Sequence, residues 1–427
     1  MKHICNKCIK NKVLIDHLLK NSIVNTCSYC GTKSTQVISS RDLIKFAGDR
    51  LIDSLYSIEE ASPYEAGMFW EGADVLPFQE VAYIIQNIEV GHEDFEDELA
   101  EYVDTNTSSE DKLFVIDDGF HDNNSYQFKW DNFTKSTAHK HRFFNKDAKV
   151  FLDSLFELIV ENDEIRNNVI TVIDSSTQLY RARIANEETI RKQIITDPVS
   201  HLGPVPKRLA GEQRMTPTGI SALYCSLDRD TCFSEVRAIT GDILISGAFK
   251  PVKDLPLLDL TKLHILSQLT LDPFDEGFSD FSHKSAFIKD LLFLMSKPAS
   301  KNNSSSYLST QIIFEYLAVK FGNKLSGIMF KSVQTGGNGT NVVLFPDCST
   351  INPSEMKAND VKSISEYYGD SHEYKSYYYS ITKIDNPIAN IIRANENLEF
   401  VENSLLASKV DAVVTKTTAI EISISVK

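Results

Sequence analysis

The sequence has no long hydrophobic run and no hydrophobic segment at its amino terminus. Across 427 residues, no stretch approaches the roughly 18 consecutive apolar residues that a membrane-spanning helix needs. The first residues, Met1 to Cys5, lack the apolar core of a signal peptide. We therefore expect a cytoplasmic protein with no membrane partner.

Basic residues are nearly missing from one part of the chain. Between Glu59 and Asp118 there are 18 carboxylates and a single base, Lys112, whereas the whole chain has a net charge of −15. The acidity therefore belongs to this segment, which would repel nucleic acid and could recruit a basic protein. Hydrophobic residues make up 42% of the chain, which excludes wholesale disorder and favours two or three folded domains.

Cysteine is scarce, but its spacing is informative. Four of the seven cysteines form two pairs, Cys5-x2-Cys8 and Cys27-x2-Cys30, with 18 residues between the pairs. This spacing is typical of a zinc ribbon, here over residues 1–35, and the alternatives are a redox pair or chance. Four thiolates leave no open position for water, so we expect structural Zn²⁺. The same segment is rich in lysine, which suits either nucleic acid or a solvated face.

Helical periodicity dominates residues 36–168. Apolar residues recur at helical spacing over Arg41–Leu55, after Pro77 and over Ala148–Glu161. We predict a loop from Asp117 to Lys146, with His139 and His141 in an exposed turn.

Short strands and turns dominate from Val169 onward. The cluster Gly336–Gly339 reads as a hairpin loop, because it matches neither a GxGxxG nor a Walker pattern and opens no helix. We predict further strands at Ser376–Ile384 and Ala419–Val426, with a helix near Asn386–Asn395.

Several separated motifs in residues 177–346 resemble the RES family, named for an Arg, a Glu and a Ser. Their order and spacing both fit that family. The motifs are Leu179–Arg183, Ala210–Met215 continuing to Ile220, Leu223–Ser226, Thr231–Val236, Ser309–Gln311, and Ser332 with Asn341–Phe345.

The resemblance implies a fold class and a domain plan. RES domains have a mixed α/β fold related to ADP-ribosyltransferases, so we expect an α+β chain. The predicted segments are a zinc ribbon (1–35), an acidic helical domain (36–168), a RES catalytic domain (169–350) and a β-rich extension (351–427). The extension either completes the RES sheet or forms a separate module.

The resemblance also implies that the chain consumes NAD⁺, and the residue types suit that reaction. Breaking the nicotinamide–ribose bond builds positive charge on the ribose, which a carboxylate can stabilise. Glu235 is the candidate carboxylate, and Arg181 is the candidate for the pyrophosphate because a guanidinium binds phosphate oxygens bidentately. Arg183 could assist, and Tyr224 could stack on the nicotinamide.

Further site residues follow from the family motifs. Ser309 would present its hydroxyl near a helix N-terminus, where a phosphate could bind. Arg214, Ser332 and Asn341 are the remaining cofactor-binding candidates. The run from Arg214 to Pro217 departs from the family pattern, which leaves the adenine side of the pocket open. Taken singly, each residue also has a structural interpretation as a solvated, core or capping side chain.

Residues 1–165 resemble the zinc-bearing helical extension, sometimes described as HEPN-like, that precedes RES domains. HEPN ribonucleases need an Arg followed by a His with four to six residues between them, and no Arg in this chain has such a His. We therefore expect an inactive, regulatory or recognition module.

We expect an enzyme that degrades NAD⁺ with phosphate or water as acceptor, acting as a bacterial toxin or anti-phage defence effector. The alternatives are an ADP-ribosyltransferase that modifies a protein or nucleic acid, and a zinc-ribbon binding protein with a nucleotide-sensing domain. The expected partners are NAD⁺, a cognate antitoxin or regulatory protein, and a second copy of the chain. Whether nucleic acid is also a partner is left open by the sequence.

Overall fold

The computed structural model describes residues 2–72, 78–121, 124–269, 271–296, 307–352, 361–370, 375–383 and 396–414. It is a mixture of helices and strands, which confirms the α+β prediction. The chain divides into two compact units, which we call unit 1 (Met1–Val160 and Leu263–Phe293) and unit 2 (Glu161–Lys262 and Leu294–Lys427). The four domain boundaries predicted from the sequence remain predictions. The division into two units assigns residues 263–293 to unit 1, although the residues before and after them belong to unit 2.

Most helices belong to unit 1, and none of the described helices is long and apolar enough to cross a membrane. The helices are α1 (Lys12–Lys20), α2 (Ser40–Asp53), α3 (Pro63–Trp70), α4 (Val81–Asn87), α5 (Glu93–Asn106), α6 (Ser125–His139), α7 (Lys146–Phe156), α8 (Glu188–Thr196), α9 (Pro198–Leu202), α10 (Arg229–Glu235), α11 (Phe278–Ser296) and α12 (Leu308–Phe321).

Most strands belong to unit 2. The strands are β1 (His3–Cys5), β2 (Ile23–Asn25), β3 (Thr35–Ser39), β4 (Leu55–Ser57), β5 (Phe114–Ile116), β6 (Val160–Glu161), β7 (Glu164–Ile165), β8 (Ile170–Ile173), β9 (Leu179–Ile184), β10 (Leu223–Ser226), β11 (Ile243–Pro251), β12 (Leu255–Asp259), β13 (Gly327–Lys331), β14 (Thr340–Leu344), β15 (Val361–Asp370), β16 (Lys375–Lys383), β17 (Leu398–Phe400) and β18 (Leu406–Lys409).

The cysteine-bearing segment of unit 1 shares its core with the helices that follow it. Strands β1, β3 and β2 form an antiparallel sheet in that order. The buried thiols Cys5, Cys8 and Cys27 lie in one hydrophobic cluster with Leu51 of α2 and Phe95 of α5. The ribbon is therefore packed into unit 1 rather than appended to it.

The loop predicted over Asp117–Lys146 is wrong, because α6 occupies Ser125–His139. Asn124 caps this helix by accepting hydrogen bonds from the backbone N–H groups of Tyr126 and Gln127. The helix buries Tyr126, Trp130 and Phe133 at a spacing that fits one helix face. His139 and His141 are exposed, as predicted.

A buried polar network ties α11 to the rest of unit 1. His283 on α11 contacts Asp117 Oδ2 through Nε2 at 2.7 Å and Ser125 Oγ through Nδ1 at 2.9 Å. Ser279 Oγ also donates to Asp117, at 3.1 Å. Residues 263–293 are therefore fixed to α6 and to the segment after β5 by charged and polar contacts as well as by packing.

Unit 2 is built on one mixed sheet of nine strands. The order is β17-β11-β9-β10-β14-β13-β12-β8, with β18 also paired to β11, and β12–β13 is the one parallel pair among the registers of these described strands. The predicted hairpin is confirmed, since β13 and β14 flank a loop in which Gly336 and Gly337 have positive φ angles of 63° and 86°.

The carboxy-terminal segment contributes to this sheet in part. Strands β17 and β18 pair with β11, which places residues 398–409 in the main sheet. Strands β15 and β16 form a separate hairpin that agrees with the strand predicted at Ser376–Ile384. The predicted strand at 419–426 and the predicted helix near 386–395 lie outside the described residues.

Candidate active site and metal centre

A cavity of about 390 Å³ opens in unit 2 where β9, β10 and β14 meet the end of α10. It is lined by three guanidinium groups against one carboxylate, together with several aromatic rings. The charged and aromatic lining residues are Arg181, Arg214, Glu235, Arg237, Tyr180, Tyr224, Tyr307 and Phe330. Its charge therefore favours an anionic ligand.

Arg181 projects from β9 into this cavity and is half-buried. Its Nη1 donates to the carbonyl oxygens of Leu202, at 3.1 Å, and of Gly203 at the end of α9. No carboxylate among the described residues forms an ion pair with it, and burial lowers the pKa of its guanidinium below the ordinary value. The cavity thus contains a desolvated cation that an anionic ligand would neutralise.

Glu235 is the last residue of α10, a short helix whose start is capped by Asp228. One carboxylate oxygen, Oε1, accepts hydrogen bonds from Ser332 Oγ at 2.6 Å and from Asn341 Nδ2 at 2.7 Å. Ser226 Oγ in turn donates to Asn341 Oδ1 at 2.8 Å, which orients the amide. Glu235 is thus held through one oxygen, and Oε2 has no hydrogen-bond partner among the described residues, so a ligand could contact it.

Helical spacing in the sequence predicts that Glu235 lies beside an apolar stripe that includes Cys232 and Ile239, and this prediction is partly wrong. Ile239 lies beyond the end of α10 and is 69% exposed, because the chain leaves the helix through Arg237 at a positive φ of 51°. Cys232 is buried on the helix as predicted. The polar contacts of Glu235 therefore come from β14 and from Ser332, the residue after β13, rather than from its own helix.

Tyr224 lines the cavity from β10 and also holds a neighbouring loop. Its hydroxyl accepts from the backbone N–H of Met215 at 3.0 Å and lies 3.1 Å from Thr216 Oγ1. Burial raises the pKa of Tyr224 to about 12, so the phenol stays neutral at physiological pH. The ring is placed to contact a ligand, while the hydroxyl positions the segment that carries Arg214.

Ser309 is not among the described residues that line the cavity. It lies in the first turn of α12, and its neighbours fix the Arg214 segment instead. Thr310 Oγ1 donates to the carbonyl of Arg214 at 2.5 Å, and Gln311 Nε2 donates to the carbonyl of Gln213 at 2.9 Å. The serine motif therefore positions a loop of the site, and Tyr307, which precedes α12, lines the cavity itself.

The remaining arginines divide into two groups. Arg214 lines the cavity, with its guanidinium 5.9 Å from the centroid of Phe330. Arg183 is exposed and donates to the carbonyl of His201 at 3.1 Å, outside the described lining. Arg237 lines the cavity but was missed by the sequence analysis. Its position two residues after the candidate carboxylate Glu235 is the sequence feature that could have identified it as a site residue.

In unit 1, the four predicted cysteines converge on one point. Their sulfur atoms all lie within 4.8 Å of one another, and the Cys5–Cys8, Cys8–Cys27 and Cys5–Cys30 distances are 3.8, 3.8 and 3.6 Å. A tetrahedral ion with metal–sulfur bonds of about 2.3 Å requires sulfur–sulfur edges of roughly 3.8 Å. The four thiols are therefore placed to bind one metal ion.

The backbone around this cluster is closely packed. His92 N donates to the carbonyl of Cys8 at 2.8 Å. A Cβ atom at Gly91 would lie 2.3 Å from that carbonyl oxygen, so this position requires glycine. The first cysteine knuckle is thus held against the turn before α5.

Two protein-family models match the chain, and they agree with the resemblances seen in the sequence. Residues 178–360 match the model of the RES domain, and residues 20–150 match the model of the HEPN/RES N-terminal domain 1. No curated protein matches the chain. Residues 263–293 lie inside the span of the first match, although they pack with unit 1.

Proposed function

We propose that this chain, which carries a RES domain behind a HEPN/RES N-terminal domain, degrades NAD⁺ by cleaving its nicotinamide–ribose bond. The RES match is consistent with an NAD⁺-related toxin or defence role. The observation that carries the proposal is the cavity itself, in which three arginines face one carboxylate held by Ser332 and Asn341.

The charges of the cavity suit a dinucleotide. Arg181 and Arg214 offer guanidinium groups to a pyrophosphate, and Arg237 adds a third at the exposed side. A guanidinium that is already desolvated and has no carboxylate partner loses little by binding a phosphate. We therefore assign Arg181 to the pyrophosphate.

The reaction then requires stabilisation of a cation. The bond from ribose C1′ to the nicotinamide nitrogen breaks, and its electron pair leaves with neutral nicotinamide. Positive charge develops on the ribose, where the Glu235 carboxylate can stabilise it. An oxygen of phosphate or water then bonds to C1′ and releases its proton. Transfer to a protein or nucleic acid acceptor is the alternative that the same cavity could support.

Glu235→Gln tests this role. Glutamine keeps the size of the side chain but removes its charge, so we expect nicotinamide release to fall about a hundredfold or more while NAD⁺ still binds. Asp230→Asn is the matched control, because Asp230 is an exposed carboxylate on the same helix. Release would be followed by liquid chromatography, and an unchanged rate in Glu235→Gln would contradict the assignment.

We further propose that the metal at the four cysteines is structural Zn²⁺. When bound, this ion would be held by Cys5, Cys8, Cys27 and Cys30, which use all four positions of a tetrahedral site. Three of these thiols are buried in the core of unit 1. We expect the ion to stabilise unit 1 and to take no part in the reaction of unit 2.

A further inference from the structure

The loop between α6 and α7 projects from unit 1 as a continuous exposed segment. All six residues from His139 to Phe144 are exposed. Phe143 is 77% exposed and Phe144 is 101% exposed, and neither ring stacks on another aromatic ring of the described chain. Two adjacent phenylalanines that make so little contact with their own protein indicate a surface that meets something else.

The same loop is basic, although the chain as a whole has a negative net charge. From Lys135 to Lys149 there are five bases and a single acid, Asp147, whereas the chain has a net charge of −15. Lys140, Arg142 and Lys146 are all exposed and have no ion-pair partner among the described residues. Their charge is therefore available to an anionic partner.

The conformation of the loop is fixed by the protein. Asn145 Oδ1 accepts from the backbone N–H of Ala148 at 3.0 Å, while its Nδ2 donates to the carbonyl of His141 at 2.9 Å and to Ser136 Oγ at 3.2 Å. One side chain thus joins the end of α6 to the start of α7. Phe144 has a positive φ of 57° beside this anchor. The two rings lie on a turn that is already ordered by hydrogen bonds, so less conformational entropy is lost when the loop binds a partner.

A lipid bilayer with anionic headgroups satisfies both features at once. Its interface accepts apolar rings, and its surface attracts the lysines and arginine that flank them. A single-stranded nucleic acid would also attract the bases, but stacking sites for bases normally lie along a groove. The six residues from 139 to 144 are all exposed, so the described part of the chain forms no groove around them for such a strand.

We propose that the α6–α7 loop binds the surface of an anionic bilayer, with Phe143 and Phe144 inserted into its interface. This contact is peripheral, and it revises the expectation from the sequence that the protein has no membrane partner. It does not depend on the reaction proposed for unit 2.

Vesicle sedimentation of the full-length protein tests the proposal. We expect the protein to sediment with phosphatidylcholine vesicles that contain phosphatidylglycerol, and far less with phosphatidylcholine alone. The double variant Phe143→Ser, Phe144→Ser should lose roughly tenfold or more in partition coefficient. Phe128→Ser is the matched control, since Phe128 is 69% exposed on α6 outside the basic loop.

A second set of variants tests the charge. Replacing Lys140, Arg142 and Lys146 together by Gln should weaken binding by roughly fivefold per base, whereas the same change at exposed Lys20, Lys33 and Lys45 should not. Circular dichroism would confirm that each variant is folded. Equal binding of the loop and control variants, or binding to a single-stranded oligonucleotide without binding to anionic vesicles, would overturn the proposal.

Discussion

Arg237 is the residue of the candidate site that depends most on the fold. It stands just past the end of α10 in the left-handed region, with φ at 51°, and its exposed side chain has no hydrogen-bond or ion-pair partner among the described residues. Its guanidinium lines the cavity that also contains Glu235. A charge placed there with no partner among the described residues is available to an anionic ligand.

We predict that Arg237→Ala raises the KM for NAD⁺ about tenfold with little change in kcat, because it removes a charged hydrogen bond made in ground and transition states alike. The increase should shrink at high salt, since Arg237 is exposed. Arg208→Ala, an exposed arginine outside the described lining, is the control. A loss of kcat at unchanged KM would instead point to a transition-state role.

Helix α11 is the element whose placement matters most for unit 1. Burial acts to raise the pKa of Asp117, but the hydrogen bond and charge of His283, together with hydrogen bonds from Gly119 and Ser279, outweigh it, so the pKa lies below the ordinary value. A carboxyl whose pKa is lower in the folded state stabilises the fold above its unfolded pKa of about 3.9. That stability is lost as the pH falls through the folded pKa.

We predict that Asp117→Asn lowers the free energy of unfolding by about 3 kcal/mol at neutral pH, because it leaves buried partners of a charged network unmatched. The difference from the natural protein should shrink as the pH falls from the unfolded pKa of about 3.9 towards the lower pKa that Asp117 has in the folded state. Urea unfolding at several pH values would measure this. Asp131→Asn, an exposed position on α6, should have no comparable effect at any pH.

Elements with local signals were predicted well from the sequence. The hairpin of β13 and β14 follows from its glycine loop, and the start of α10 is marked in the sequence by Asp228, a residue type that favours helix N-caps. Helix α6 was missed although Tyr126, Trp130 and Phe133 have helical spacing, because the polar residues between them resemble a loop.

Placements that depend on distant contacts could not be read from the sequence. Residues 263–293 pack with unit 1 through contacts more than a hundred residues away, such as the one between His283 and Asp117. Likewise, the hydrogen bonds that hold Glu235 come from β14 and from the residue after β13. The sequence motifs identified candidate site residues, but their contacts depend on the pairing of distant strands in the sheet.

Across the whole molecule, the cysteine cluster and the candidate active site belong to different units. The cysteines pack in one cluster with α2, α4 and α5, so loss of the metal should unfold much of unit 1 together. The acidic stretch from Glu59 to Asp118 also lies in unit 1, while the arginine-lined cavity lies in unit 2. The cysteine cluster and the acidic residues thus lie in one unit, and the arginines that would attract an anionic ligand lie in the other.

We predict that Cys27→Ser abolishes the binding of one Zn²⁺ per chain and lowers the Tm of unit 1 by on the order of 10 °C. Cys348→Ser, a thiol of unit 2, should leave both unchanged. Metal content would be measured by atomic absorption and unfolding by calorimetry. An unchanged Tm after complete chelation of the metal would contradict a structural role.

The most direct test is product analysis of NAD⁺ incubated with the purified protein, with and without inorganic phosphate. We predict release of nicotinamide together with ADP-ribose in water, or with a phosphorylated ADP-ribose when phosphate is present, and about a hundredfold slower formation of either product with Glu235→Gln. An ADP-ribose adduct on a macromolecule would favour transfer instead. Intact NAD⁺ after long incubation under both conditions would contradict the proposed function.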